Sequence, residues 1–160
     1  MPERINPSKR APKQTSAREK NYIQLMSQTI EMTRPKPGTV SWNQLIASSA
    51  NASFYARLFG WQPTPFVPEG MPAGNQPFTL FKTDPNMEGG VAGMVQKQHP
   101  EMPSLWLPYV VVEDLDAALV KAVALGGKIR TPAKSIGELG RIAVIHDPEG
   151  AVVGFHEFPK

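Results

Sequence analysis

The sequence predicts an α+β fold: two similar halves, each a strand, a helix and further strands, packed as a curled mixed sheet around a cleft. Three observations predict it. A strand followed by a helix occurs twice, and the interval from capping residue to terminating glycine is 11 residues in the first half (Ser49 to Gly60) and 12 in the second (Asp114 to Gly126). Each helix carries a single apolar stripe, so each half leaves one sheet face uncovered, and packing the halves together curls those faces about a shared cavity. The stretch GRIAVIHDPEGAVVGFHEF (140–158) then closes the chain as a hairpin.

The first half begins at Gly38. Thr39–Ala47 reads as a strand, and Ser48 or Ser49 caps the helix that follows, its hydroxyl accepting an orphan backbone N–H. Ala50, Phe54 and Leu58 form that helix's apolar stripe, and Gly60 stops it. Gln62–Pro68 is a proline-rich crossing, and Phe78–Lys82 and Gly90–Gln96 are further strands. HPEMP (99–103) links the halves, giving modules over 38–98 and 104–158 within a domain spanning 38–160.

The second half repeats the shape. Leu105–Val112 is a strand, Asp114 caps the next helix with its charge toward the helix dipole, and Leu115, Ala118, Leu119 and Ala122 face the core. Gly126-Gly127 end that helix, and Lys128–Thr131 is a short strand. Ile142–Ile145 and Ala151–Phe155 form the hairpin around Asp147-Pro148-Glu149-Gly150, where proline pre-sets φ and glycine accepts a positive one.

Composition bounds the function. The 160 residues are 41% hydrophobic, enough for one globular domain with a working core. Residues 1–37 hold eight Lys/Arg and three Glu, while residues 38–160 hold nine and eleven, so a slightly acidic body follows a basic tail. Nucleic-acid contact would rest on that tail alone and is not expected. The tail reads as a mobile extension with a short helix over 16–33, stopped by Pro35 and Pro37; a translation start at Met26 or Met32 is an alternative. No stretch is apolar enough to span a membrane, no secretory h-region is visible, and the absence of Cys fits a reducing, cytoplasmic setting.

SFYARLFGW (53–61), YVVVEDLDAALVKAVALGGKI (109–129) and GRIAVIHDPEGAVVGF (140–155), in that order, resemble the vicinal oxygen chelate superfamily of glyoxalase I, bleomycin-resistance proteins and extradiol dioxygenases. The resemblance implies two βαβββ modules. It also implies, in metal-using members, a His or Glu ligand at one inward position on each of four strands. Carried over, three of those positions fall at Trp42 or Gln44, near Leu105–Leu107, and at Gly154; of these only Gln44 offers a donor, so no metal and no cofactor are expected. The hairpin is scaffold where a catalytic Glu would sit.

The remaining candidates for ligand binding are Trp42, Gln44, Tyr109, Arg141 and His156. Period-two geometry puts Trp42, Gln44 and Ile46 on one face of their strand and Leu105, Leu107 and Tyr109 on one face of theirs, with Trp106 toward the helices. Trp42 and Tyr109 offer flat apolar surface, and Gln44 and the Tyr109 hydroxyl offer orientation. His156 shares a face with Gly154, and Arg141 is placed to meet an anion. Phe78 and Met94 read as packing, and His99 and His146 as surface. No GxGxxG, GxxxxGK[ST] or GxSxG is present. The leading expectation is metal-independent binding of a small molecule in the cleft of a homodimer. The alternatives are a metal-dependent lyase, isomerase or dioxygenase, and an interaction module acting through the basic tail.

Overall fold

Burial alternates along β5 (Leu105–Val111), whose residues are nearly all apolar, and β1 (Val40–Ala47) buries the neighbours Gln44 and Leu45, so each strand turns side chains to both faces of the sheet. In the computed structural model, which describes residues 34–48, 50–73 and 78–160, the two strands lie antiparallel at the centre of an open eight-stranded mixed sheet. From β1 the chain passes through helix α1 (Ala50–Phe59) to the edge strand β2 (Gln62–Phe66), then returns through β3 (Phe78–Lys82) to β4 (Ala92–Gln96), which lies parallel to β1. The second half follows the same path: β5, α2 (Leu115–Ala124), β6 (Lys128–Ser135), β7 (Arg141–His146) and β8 (Val152–Glu157), parallel to β5. The strand order β2-β3-β4-β1-β5-β8-β7-β6 is therefore two βαβββ modules joined at their first strands.

Local chemistry sets the ends of these elements. The Asp114 carboxylate accepts the Ala117 N–H at 2.8 Å and caps α2, and Gly60 ends α1 with φ +72°. In the hairpin turn Asp147 Oδ1 accepts from the N–H groups of Glu149 and Ala151, and Gly150 takes φ +96°.

Three apolar clusters hold the sheet. Leu45, Ala47, Phe81, Ala92 and Met94 pack beneath α1 with Ala52, Tyr55 and Trp61. Leu115, Leu119, Ala143 and Ile145 pack beneath α2. The third cluster lies on the opposite, concave face: Leu107, Tyr109, Ile136, Ile142 and Val144, flanked by Trp42 and Ile46. Each large side chain so buried contributes about 1.5–3 kcal/mol.

Three expectations change. Gln62–Phe66 is a strand and not a crossing; its prolines, at alternate positions 63 and 65, put both missing N–H groups on the same side, which an edge strand leaves unpaired. Helix α1 is also turned relative to the expected stripe: Ala52 and Tyr55 meet the sheet, while Phe54 (57% exposed) and Leu58 (56%) face outward. The aromatic cluster explains the turn, since the Tyr55 ring contacts those of Trp61, Phe81 and Trp106. The second-half strand beginning at Lys128 runs on to Ser135, with register shifts after Ile129 and Thr131. The proposed helix over 16–33 lies outside the described residues.

Candidate functional site

The concave face encloses a cavity of about 230 Å³ whose walls are almost wholly apolar, formed by Phe66, Phe78, Leu80, Ile136 and Ile142 among others. Phe78, expected only to pack, is part of this wall. Trp42, Gln44, Tyr109 and His156 line the same chamber, so the structure brings together four of the five candidate residues.

Arg141 is placed elsewhere, which removes it from the chamber. It lies on β7 beside Ile142, so alternation turns it to the helix face with Ala143 and Ile145. There its guanidinium donates to both carboxylate oxygens of Asp116 on α2 at 3.0 Å, and to Glu157 Oε2 at 3.2 Å. Hydrogen bonding from Arg141 holds the exposed Asp116 carboxyl below its ordinary pKa. The pairs join α2 to the last two strands and serve the scaffold.

His156 belongs to the wall. Its Nε2–H donates to the Leu139 carbonyl at 2.8 Å, which leaves Nδ1 to accept from the Ser41 hydroxyl at 3.1 Å. Burial pushes the imidazole pKa down, outweighing the Leu139 bond that favours the charged form, so the ring is neutral at neutral pH. Ser41 was absent from the sequence-based candidates because it neighbours Trp42 and should point the other way. A register shift between Val40 and Trp42 breaks the alternation and re-aims Ser41 into the cleft. No sequence signal marks that shift.

Gln44 and Tyr109 differ from His156 in having polar groups without protein partners. Gln44 is 7% exposed, yet its amide makes no hydrogen bond among the described residues, and neither does the Tyr109 hydroxyl. Both open on the cavity, since no fully enclosed side-chain polar atom lacks a partner among those residues. Burial pushes the Tyr109 phenol up to about 12, so it stays a protonated donor at neutral pH.

Strand register relates these two residues. Gln44 stands opposite Gly93 on β4, and Tyr109 opposite Gly154 on β8; an approximate two-fold through the Asn43–Pro108 pair exchanges them. The inward position on β5 that matches Gln44 is thus Tyr109, two residues beyond Leu107 on the same face. A Cβ on Gly154 would overlap the Tyr109 ring, and one on Gly93 would come within 2.7 Å of Trp42 Cζ2. Aromatic rings therefore occupy the space that side chains at both glycines would need. One amide, one un-ionised phenol and two glycines do not fit a divalent cation, which needs several fixed donors to replace its hydration. Among the described residues no three His, Cys, Asp or Glu lie close enough to share a metal.

A two-module curled sheet with an apolar cleft on its concave face defines the class of protein. The chain belongs to the Glyoxalase/Bleomycin resistance protein/Dioxygenase superfamily, whose family pattern matches residues 48–155. The "Putative glyoxylase CFP32" of Mycobacterium bovis is 33% identical over 121 residues, 74% of this chain and 45% of that protein. The "Anthracycline biosynthesis protein DnrV" of Streptomyces peucetius is 36% identical over 135 residues, 75% and 47% of the two chains. The chain thus spans a little under half the length of these relatives. A methylmalonyl-CoA epimerase of Streptomyces coelicolor in complex with 2-nitronate-propionyl-CoA matches 78% of this chain and 100% of its own, with a TM-score of 0.51 at 14% identity; that likeness concerns the fold. Among the described residues no helix is long and apolar enough to cross a membrane.

Proposed function

We propose that the protein binds a small, partly aromatic or amphipathic molecule in the cleft without a metal ion. The observation that carries this reading is the pair of unpartnered polar groups, the Gln44 amide and the Tyr109 hydroxyl, in an otherwise apolar chamber. Neither group is sealed off from the open cavity, so each keeps hydrogen-bonding capacity that a guest can use. Trp42 and Tyr109 give flat surface for an apolar body, and the Ser41–His156 pair fixes one wall. Relatives named for glyoxylase activity and for anthracycline biosynthesis support a small-molecule ligand.

Two measurements test it. N-phenyl-1-naphthylamine, a neutral probe that fluoresces in apolar surroundings, should bind at one site per chain and be lost when Leu80→Trp fills the chamber. Elemental analysis after dialysis against Zn²⁺, Ni²⁺, Mn²⁺ or Fe²⁺ should find no stoichiometric ion. One tightly bound ion per chain, lost in Gln44→Ala, would overturn the reading in favour of a metal-dependent lyase, isomerase or dioxygenase. The homodimer and a cytoplasmic location are part of the same proposal. Exposed Phe54, Leu58 and Phe59 on α1 are apolar surface that a second copy would cover. Light scattering that gives the monomer mass of 17.5 kDa at high concentration removes the dimer.

A further inference from the structure

Beside the apolar chamber lies a second cavity of about 430 Å³, and Gln44, Phe78, Tyr109, Ile136 and Ile142 belong to the walls of both. The character changes across that shared wall. The second compartment is bordered by Lys97, Arg130 and Lys134, with Gln96, Gln98 and Thr131, and among the described residues by no Asp or Glu. Three cations without a carboxylate run against the sign of residues 38–160, which hold eleven acidic and nine basic side chains.

The cations differ in availability. Lys97 Nζ donates to the carbonyls of Pro100 at 2.7 Å and Met102 at 3.0 Å, which fixes its charge at the rim. Arg130 and Lys134, on the edge strand β6, are exposed and make no ion pair or side-chain hydrogen bond among the described residues. Their charges are free to meet a guest. Gln44 and Tyr109, whose polar groups have no partner among the described residues, line both compartments.

We infer that the ligand is an amphipathic anion. Its apolar body fills the chamber, its middle pairs with Gln44 and Tyr109, and its anionic group lies in the second compartment against Arg130 and Lys134. This rests on the small-molecule reading of the chamber and adds the charge and its place. An apolar body gains by leaving water, whereas an anion gains only where cations face it without competing carboxylates.

Two probes with one ring system test the charge separately from the cavity. N-phenyl-1-naphthylamine is neutral, and 8-anilinonaphthalene-1-sulfonate is the same body with a sulfonate. Titrated into the full chain, the sulfonate should bind more tightly, displace the neutral probe competitively, and lose its advantage as salt rises. In the double variant Arg130→Gln/Lys134→Gln the ratio of the two Kd values should fall about fivefold to tenfold, as expected for two partly exposed charge contacts. Equal affinities, a ratio unmoved by the double variant, or sulfonate binding that leaves the neutral probe in place would each overturn the anion assignment while the cavity reading stands. Failure of both probes to bind would remove both.

Discussion

The two faces of the sheet differ in how completely their polar groups are paired. On the helix face they are paired: Arg141 joins Asp116 to Glu157, the Trp106 indole donates to the Tyr55 hydroxyl at 3.0 Å, and Asp114 caps α2. On the concave face Gln44 and the Tyr109 hydroxyl have no partner among the described residues, and the chamber on one side of them is walled by apolar groups. Residues 156 and 157, adjacent in sequence, fall on either side of this division. Glu157 turns outward to Arg141, and His156 turns inward to Ser41 and Leu139. Helix-face polar groups are spent on holding the fold, and those left on the concave face are available to a guest.

If that division is right, the helix face should carry the larger share of stability. Phe81 is fully buried beneath α1 against Tyr55 and Trp61. Phe81→Ala should lower unfolding free energy by about 3–5 kcal/mol in urea titration, through lost transfer energy and a residual cavity. A loss under about 1 kcal/mol would show that α1 collapses onto the gap or that the cluster matters little.

The next largest effect tests the concave face. Gly154→Ala puts a methyl group into the Tyr109 ring, which is itself buried, so the ring or β8 must shift. Overpacking of this kind typically costs about 1–3 kcal/mol. A chemical-denaturation midpoint equal to the wild type's would mean that Tyr109 has another rotamer to enter, and that the ring does not fill this position.

That pairing also marks what the sequence could tell. The Asp114 cap, the stops at Gly60 and Gly126 and the Asp147–Gly150 turn were legible because each is local chemistry within a few residues. The inward set of Trp42, Gln44 and Tyr109 followed from period two alone. Strand β2 was not legible, since two prolines in five residues argue against a strand unless the position is known to be an edge. The ring of Tyr109 over Gly154 joins residues 45 positions apart, and the basic compartment depends on where an irregular edge strand lies; neither leaves a periodic trace. Arg141 could have been placed correctly, because the same alternation that buries Ile142 on the concave face turns its neighbour away.

A smaller effect concerns His156 and pH. Its folded-state pKa is lowered, so between that value and the ordinary value near 6.5 the unfolded chain takes up a proton that the folded chain refuses. Stability is therefore full above about pH 6.5 and declines as pH falls toward the lowered value. Melting temperatures between pH 8 and 5 should fall more steeply for the wild type than for His156→Gln. Parallel curves would mean that the imidazole is solvated and does not close the wall.

The smallest expected effect separates the two faces most directly. In Gln44→Leu the side chain keeps much of its bulk and loses an amide that has no partner among the described residues, so no hydrogen bond to them disappears with it. If the amide is present for a ligand, the melting temperature of the unliganded protein should equal the wild type's, because the amide opens on the cavity and holds no other side chain in place among the described residues. The same substitution should weaken capture of 8-anilinonaphthalene-1-sulfonate more than that of the neutral probe, since Gln44 borders both the chamber and the compartment that holds Arg130 and Lys134. A clear drop in melting temperature would place Gln44 with the paired groups of the helix face, as a structural residue whose partner is a bound water. Stability kept while the sulfonate's preference is lost is the combination that a purely structural amide does not produce.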